Sequence, residues 1–212
     1  MNRILFVVAV VFLMQSQALA QSEELTKFEV AGEFTTLERE SFPGRITEPG
    51  LGTRFTYNLN RVFSLEVAGY FFPKKCSQCR NSGNVAEGLA GVKVTKRFEN
   101  WGIFAKARPG AISFSRGALD VFPGATPFDP AEFEFKRVTA FAMDIGGGVE
   151  FYPSKRIVTR FDAGDTIIHF GSRNMNTIVF DPATNTIGPG TLRIPGRTVH
   201  NFQFMTSVGF RF

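Results

Sequence analysis

A period-two alternation of apolar and polar residues constrains the fold of this chain more than any other feature of its sequence. It is clearest at the C-terminus, where Phe202, Phe204 and Val208 are separated by Gln203, Ser207 and their neighbours. Successive side chains of a β-strand point to opposite faces, so the pattern predicts strands with one apolar and one polar face. Eight segments show it, at residues 28–35, 51–58, 63–71, 86–98, 101–108, 141–151, 157–163 and 200–212.

The charges on the polar positions predict which face points inward. Cationic and acidic residues are equal in number there, as expected if they neutralise one another inside a closed lumen. The cationic residues are Arg54, Lys93, Arg97, Lys106, Arg108, Arg160 and Arg211, and the acidic residues are Glu29, Glu33, Glu66, Glu87, Asp144, Glu150 and Asp162. A polar interior and an apolar face toward lipid are typical of transmembrane barrels. The sequence therefore predicts an all-β fold, an eight-stranded antiparallel up-and-down transmembrane β-barrel.

The connections between the predicted strands alternate strictly in length. Residues 37–50, 73–84, 115–137 and 171–199 form long connections, whereas 58–61, 99–100 and 152–156 form short ones. This alternation places all the long connections on one side of the sheet. Outer-membrane barrels have long extracellular loops and short periplasmic turns, and an even strand count brings both termini to the periplasmic side.

The first twenty residues predict a secretory signal peptide. They begin with Met1-Asn2-Arg3, continue with an apolar run over 4–14 and end at Ala18-Leu19-Ala20. The alternative is a membrane anchor, but a spanning helix needs about 20 apolar residues, more than this run supplies. Charged or turn-forming residues interrupt every later apolar stretch. We expect residues 1–20 to be removed and residues 21–212 to form one barrel domain.

Two stretches carry a resemblance to a known family. The chain ends in Val208-Gly209-Phe210-Arg211-Phe212, and the stretch 146–151 (Gly-Gly-Gly-Val-Glu-Phe) leads through a short turn to Arg160-Phe161-Asp162. Both resemble the closing strands of the small outer-membrane barrels of the OmpA, OmpX and opacity-protein type. No stretch resembles the periplasmic peptidoglycan-binding domain that some members carry.

The resemblance implies a location and a set of partners. It implies the outer membrane of a Gram-negative bacterium, with outer-membrane lipid and lipopolysaccharide around the barrel. It also implies that the barrel-insertion machinery recognises the terminal aromatic residues, so Phe210 and Phe212 are the candidate assembly signal. The formal net charge of +5 comes without a dense Lys/Arg block, which argues against nucleic acid as a partner. No cofactor is expected.

Cys76 and Cys79 form a Cys-x-x-Cys pair in the third connection. In an exported protein such a pair is expected to form a disulfide. A redox site would need a helix that starts after a strand, which the sequence does not predict here. A zinc site would need two further ligands, and His169 and His200 are the only histidines of the chain.

The inward charges are expected to form a packed ion-pair network, because eight strands leave an interior just wide enough for side chains. A three-residue turn at 59–61 would place Arg54 directly opposite Glu66. Removal of Glu66 should then destabilise the barrel or open small conductances by leaving Arg54 unpaired. The members of the predicted network are Arg54, Glu66, Lys93, Lys106, Arg108, Asp144, Glu150, Arg160, Asp162 and Arg211.

Three classes of function remain open at this point. The first is a non-enzymatic envelope protein that contributes membrane integrity or surface interactions through its long loops, with an unknown surface ligand. The second is a narrow channel or a conduit for small hydrophobic molecules. The third is a lipid-modifying enzyme, since some outer-membrane lipid A deacylases carry a His-x-Ser-Asn arrangement. The nearest match here is His169-Phe170-Gly171-Ser172 with Asn174, in which the serine is displaced by one position.

The long connections differ in charge. The fifth is acidic and rich in phenylalanine, with Asp120, Phe122, Phe128, Asp129, Glu132, Phe133 and Glu134. The seventh contains Arg173, Arg193 and Arg197 among several glycines and prolines. Loops on a rigid scaffold are where binding sites commonly arise, but the sequence does not identify a ligand.

Overall fold

Ten β-strands make up nearly all of the described chain. The structure is a computed structural model that describes residues 26–41, 44–73, 83–123, 131–182 and 185–212. The strands are β1 (Phe28–Ser41), β2 (Gly44–Asn58), β3 (Phe63–Phe72), β4 (Val85–Arg97), β5 (Trp101–Phe122), β6 (Glu132–Phe151), β7 (Ile157–Phe170), β8 (Arg173–Asp181), β9 (Thr186–Ile194) and β10 (Arg197–Arg211). Within these ranges, no helix is long and apolar enough to cross a membrane.

Some sequence-based predictions concern residues outside these ranges. The predicted signal peptide at 1–20 and the predicted Cys76–Cys79 disulfide both lie outside the described residues. Phe128 and Asp129 of the fifth connection lie outside them as well.

Eight of the strands close into one antiparallel barrel, as predicted. The order around the barrel is β1-β10-β7-β6-β5-β4-β3-β2, and β8 and β9 form a separate two-stranded sheet. The first and last strands close the barrel: the Phe28 amide donates to the Phe212 carbonyl at 3.0 Å, and the Phe212 amide donates back at 2.9 Å. No edge of the eight-stranded sheet is therefore left unpaired.

The register of the strands sets the tilt of the barrel. Directly paired residues followed once around the barrel from Lys27 return to β1 at Leu37, an offset of 37 − 27 = 10 residues. The path runs Lys27, Asn58, Ser64, Lys93, Lys106, Gly146, Gly164, Gln203 and Leu37. Eight strands with this stagger tilt by about 40° from the barrel axis and enclose an interior that side chains can fill.

The apolar face points outward and the polar face inward, as the charges predicted. In β3 every second residue is buried, and the exposed positions include Phe63, Leu65 and Val67. In β10, Val208 is 63% exposed on the outer face. Its neighbour Ser207 is buried in the lumen.

Three of the four long connections differ from the prediction because they are largely strand. Only residues 42–43 separate β1 from β2, and β5 and β6 continue well beyond the predicted strand ends. The seventh connection contains the β8–β9 hairpin. Alternation did not reveal these strand segments. Beyond the barrel a strand no longer has a polar lumen on one side and an apolar surrounding on the other, so its polar and apolar residues need not alternate. The predicted short connections lie at 59–62, 98–100 and 152–156.

Glycines allow β4 and β5 to approach each other closely. A Cβ at Gly110 would lie 2.0 Å from the carbonyl oxygen of Gly88, and a Cβ at Gly91 would lie 2.1 Å from that of Ala107. Glycine within a strand commonly marks such a bend or close backbone approach. At Gly88, by contrast, a Cβ would meet no atom within 4 Å.

We predict that Gly110→Ala destabilises the barrel by about 1–3 kcal/mol, because the added methyl group displaces backbone rather than a flexible side chain. Gly88→Ala is the matched control on the partner strand and should change stability by no more than about 0.5 kcal/mol. Urea unfolding of the refolded barrel in detergent measures both. Equal stability of the two variants would contradict the close approach of these strands.

Candidate functional site

The structure places every residue of the predicted lumen network on the inner face of the barrel. We call the end of the barrel with Phe28 and Phe212 the proximal end, and the end with the β8–β9 hairpin the distal end. Arg211 is partly exposed at the proximal end, with 11% of its side chain accessible. The other members are buried: Arg54, Glu66, Lys93, Lys106, Arg108, Asp144, Glu150, Arg160 and Asp162.

Glu66 is the centre of the proximal part of this network. Its Oε1 lies 2.7 Å from Nη1 of Arg160, 3.4 Å from Nη1 of Arg54 and 3.6 Å from Nζ of Lys93. The Thr56 hydroxyl donates to the same oxygen at 3.3 Å. Glu66 is 1% exposed, so water does not screen these contacts. One carboxylate therefore neutralises several cations from different strands.

A second group of ion pairs lies beside the first. The Lys106 ammonium bridges Asp162 at 2.6 Å and Asp144 at 2.9 Å. Arg108 donates to Asp144 through Nη2 at 2.6 Å and through Nε at 2.9 Å. Arg160 joins the two groups because its Nε contacts Asp162 at 2.6 Å. Buried charges are tolerated when they are paired and hydrogen-bonded in this way.

The predicted register of Arg54 and Glu66 is wrong by two residues. The turn between β2 and β3 covers four residues, 59–62, rather than three. Thr56 therefore lies opposite Glu66, and Arg54 lies opposite Ala68. The two charges still meet diagonally at 3.4 Å, because a shift of two residues leaves both side chains on the inner face.

The distal half of the lumen is largely apolar, which sequence reasoning missed, although Glu48 and Glu87 are buried at the same level. Leu37, Phe72, Ile112 and Ile168 are at most 1% exposed, and they belong to one cluster of buried side chains inside the barrel. The rest of the cluster is Ala68, Tyr70, Val85, Leu89, Phe114, Ala140, Ala142 and Met205. The sequence did contain a signal for this apolar zone. Along the inner face of a single strand, charged residues give way to apolar ones, as in β7, where Ile168 follows Arg160 and Asp162. The lumen thus has a charged proximal zone and an apolar distal zone.

A short chain of polar groups lies near the boundary between these zones. The Gln203 amide donates to the Thr35 hydroxyl at 3.0 Å and to Glu87 at 3.2 Å, and Thr166 donates to Gln203. The Tyr70 hydroxyl donates to Glu33 at 2.5 Å. Each of these groups is buried, so the contacts replace hydrogen bonds to water.

The β8–β9 hairpin packs against the distal part of β5, beyond the apolar belt. The Asn176 amide donates to Asp120 at 3.2 Å, and Lys136 of β6 donates to the same carboxylate at 2.7 Å. The Lys136 hydrogen bond holds the pKa of Asp120 below its usual value. The pairing therefore stabilises the fold above the unfolded-state pKa and is lost as the pH falls through the lowered one.

The two histidines lie on the outer face, on neighbouring strands. His169 Nδ1 is 2.9 Å from the Thr198 hydroxyl, and His200 Nδ1 is 2.6 Å from Asp165. Among the described residues, no hydrogen bond joins His169 to Ser172, which lies in the 171–172 connection. The histidine–serine pair of the enzyme hypothesis is therefore not brought together here.

Phe210 and Phe212, the candidate assembly residues, lie at the proximal end of β10 on the outer face. Their ring centres are 6.3 Å apart, and the ring of Phe212 is also 5.8 Å from that of Phe28. Phe28 in turn contacts Phe55 and Tyr57 of β2. Aromatic side chains therefore cover the strand junction that closes the barrel.

We predict that Glu66→Ala destabilises the barrel by about 3–5 kcal/mol, because it leaves several buried cations without their shared partner. The midpoint of denaturant unfolding in detergent measures the effect. A variant that does not refold at all would show a destabilisation larger than this range.

The matched control is Glu134→Ala. Glu134 forms an ion pair with Lys136 at 3.5 Å, but its side chain is 56% exposed. An exposed pair contributes about 0–1 kcal/mol, so this variant should unfold close to the wild type. Equal effects of the two substitutions would contradict the central place of Glu66 in the network.

The barrel has counterparts among solved structures. Neisserial surface protein A is 14% identical over 87% of this chain and 97% of its own, with a TM-score of 0.54. Ail of Yersinia pestis is 14% identical over 89% and 100% (TM-score 0.47), and the N-terminal barrel of Pseudomonas aeruginosa OprF is 11% identical over 87% and 97% (TM-score 0.44). No protein-family profile and no curated protein sequence matches the chain. The closed eight-stranded sheet and the similarity to Neisserial surface protein A establish that the chain has the fold of the small eight-stranded outer-membrane β-barrels.

Proposed function

We propose that this chain is an exported, non-enzymatic protein of the outer membrane that contributes envelope integrity or surface interactions through its distal segments. The observation that carries the proposal is an apolar outer belt around a filled, charged lumen. In this arrangement the proximal end faces the periplasm and the distal end faces outward. An apolar belt on the outside of a closed barrel would be unfavourable in water, but it matches the hydrocarbon layer of a bilayer.

The height of the belt supports insertion in a bilayer. On β10 the outward residues from Phe202 to Phe212 cover ten residues, which at ~3.3 Å per residue and a tilt of ~40° corresponds to about 25 Å. This is the height of the apolar band of outer-membrane barrels. Aromatic residues lie at both ends of the belt, with Phe28, Trp101 and Phe212 proximally and Phe141 distally.

The filled lumen favours a structural or surface role over that of a channel. The charged zone contains Arg54, Lys93, Arg108 and Arg160, each at most 2% exposed. The largely apolar zone lies distal to it and would oppose the passage of ions, because closely packed apolar side chains fill most of its cross-section. The extended β5 and β6 strands and the β8–β9 hairpin remain as the segments through which the protein would contact its surroundings.

We predict that Val208→Arg destabilises the barrel in lipid vesicles by about 2–4 kcal/mol, because it places a charge near the middle of the apolar belt. Thr198→Arg is the control, on the same face of the same strand but at its distal end, and should cost about 0–1 kcal/mol. Guanidinium unfolding from vesicles measures both. A water-facing Val208 would tolerate arginine, so equal tolerance at the two positions would refute insertion in a bilayer.

Phe212→Ala tests the role of the terminal strand in assembly, because it removes the aromatic ring and leaves the two backbone hydrogen bonds to Phe28 in place. We expect the amount of barrel inserted in cells to fall several-fold, because the insertion machinery would recognise this residue. The stability of barrel refolded in detergent should change by only about 1 kcal/mol, the size of a lost aromatic contact. Phe28→Ala, which alters the other side of the same ring contact, is the control. If both changes reduce cellular insertion equally, Phe212 is only one aromatic contact among several.

Planar bilayer recordings test the closed lumen. We expect no stable conductance steps of porin size from the wild type. Glu66→Ala should also remain closed, because the apolar distal zone is unchanged, which differs from the small conductances expected from the sequence alone. A large-lumen porin provides the positive control. Stable steps from the wild type would favour a channel.

A further inference from the structure

An acidic side chain lies on the outer face of β7, among the apolar residues of the belt. Asp165 points outward, and its side chain is 43% exposed. Its ladder partners are Ile145 on β6 and Phe202 on β10, which are both exposed apolar residues. Ile145 lies four residues proximal to Phe141, so Asp165 is inside the distal edge of the belt. An ionisable group that faces lipid is costly and marks a candidate functional site.

His200 is the partner of this carboxylate within the chain. Its Nδ1 lies 2.6 Å from Oδ2 of Asp165, and the Asn201 backbone amide donates to Oδ1 at 3.1 Å. His200 lies two residues distal to Phe202 on the outer face of β10, and its side chain is 66% exposed. In the described part of the chain, Nε2 of His200 has no hydrogen-bond partner. The pair therefore presents a free ring nitrogen beside a carboxylate at the distal edge of the belt.

Lipid chains offer this pair no hydrogen bonds, but a second copy of the barrel does. A carboxylate only accepts hydrogen bonds, and a protonated histidine donates through both ring nitrogens. Copies of one chain most often associate about a two-fold axis, so that a surface meets its own equivalent. An axis along the membrane normal keeps each group at its own height. His200 of each copy can then donate through Nε2 to Asp165 of the other copy.

Small residues make the surface next to Asp165 shallow. Ala105, Gly147 and Ala163 are ladder partners in one row across β5, β6 and β7. Ala163 is two residues proximal to Asp165 on the same face, so the row adjoins the carboxylate. Small residues at an interface within a membrane allow two backbones to approach closely. On the opposite side of the barrel, β2 and β3 expose larger side chains: Phe55, Leu65 and Val67.

We propose that the surface formed by Ala105, Gly147, Ala163, Asp165 and His200, here called the Asp165 face, is the interface of a dimer of two parallel barrels in the membrane. This inference rests on the proposed location in the outer membrane. The occupant is a second copy, rather than a different protein, because the face carries a donor and an acceptor that a two-fold axis pairs reciprocally.

Förster resonance energy transfer between donor-labelled and acceptor-labelled full-length barrels in lipid vesicles tests the proposal. The measurement is made at about pH 6, where an unperturbed histidine is mostly protonated. We expect Ala163→Phe to raise the dissociation constant of the dimer roughly 100-fold, because the added ring holds the barrels apart. His200→Ala should raise it roughly tenfold, because the reciprocal hydrogen bonds are lost.

The matched control is Gly69→Phe. It adds a ring to the outer face of β3 on the opposite side of the barrel, where a Cβ meets no atom closer than 3.9 Å. This variant should dimerise as the wild type does. The heat-modifiable gel mobility of each variant shows that its barrel is folded.

Wild-type dimerisation of Ala163→Phe would overturn the proposal, as would an equal loss in Gly69→Phe. If the pair of Asp165 and His200 only joins β7 to β10, His200→Ala would dimerise like the wild type, which would also contradict it. A wild-type barrel that inserts but shows no energy transfer at high density would exclude a second copy as the occupant. Failure of the proposed outer-membrane location would appear separately, as a wild-type chain that does not insert into vesicles at all.

Discussion

The pairing of the first strand with the last is the interaction on which the rest of this structure depends. A sheet with an apolar outer face can lie in lipid only if no strand edge is left open, because each unpaired amide or carbonyl there would be unfavourable. The hydrogen bonds between Phe28 and Phe212 complete that closure at the proximal end. The aromatic rings around this junction shield the same backbone groups. The stagger of ten residues around the barrel then sets both the tilt of the strands and the narrowness of the interior.

A narrow interior forces the inward side chains to satisfy one another. In the charged proximal zone, the shared contacts of Glu66 and Lys106 connect strands that are not neighbours in the sheet. Such bridges hold the barrel wall from within, although a buried ion pair is not by itself evidence of high stability. The distal zone fills the remaining length of the lumen mainly with apolar side chains, among which Glu48 and Glu87 are also buried. The two zones together argue for a solid scaffold that presents its distal end to the surroundings.

The distal end differs from the barrel wall in its physical character. There the strands leave the apolar belt, and the contacts become partly buried hydrogen bonds and ion pairs such as those of Asp120 with Lys136 and Asn176. The contact between Asn176 and Asp120 holds the β8–β9 hairpin against β5.

The sequence by itself determined that eight strands form a closed barrel, and which of their faces point inward and outward, but not the β8–β9 hairpin. It could do so because alternation along a strand records which side faces the lumen, and because balanced charges are needed only where they are enclosed. The register between β2 and β3 was decided by the tertiary structure, since a shift of two residues leaves Arg54 and Glu66 on the same face and alternation cannot detect it. The apolar distal zone and the distal parts of β5 and β6 also depended on the folded chain. Ile112 and Phe114 lie inward because β5 continues past its predicted end, and the bulge between Phe114 and Ala118 is set by the pairing of β5 with β6.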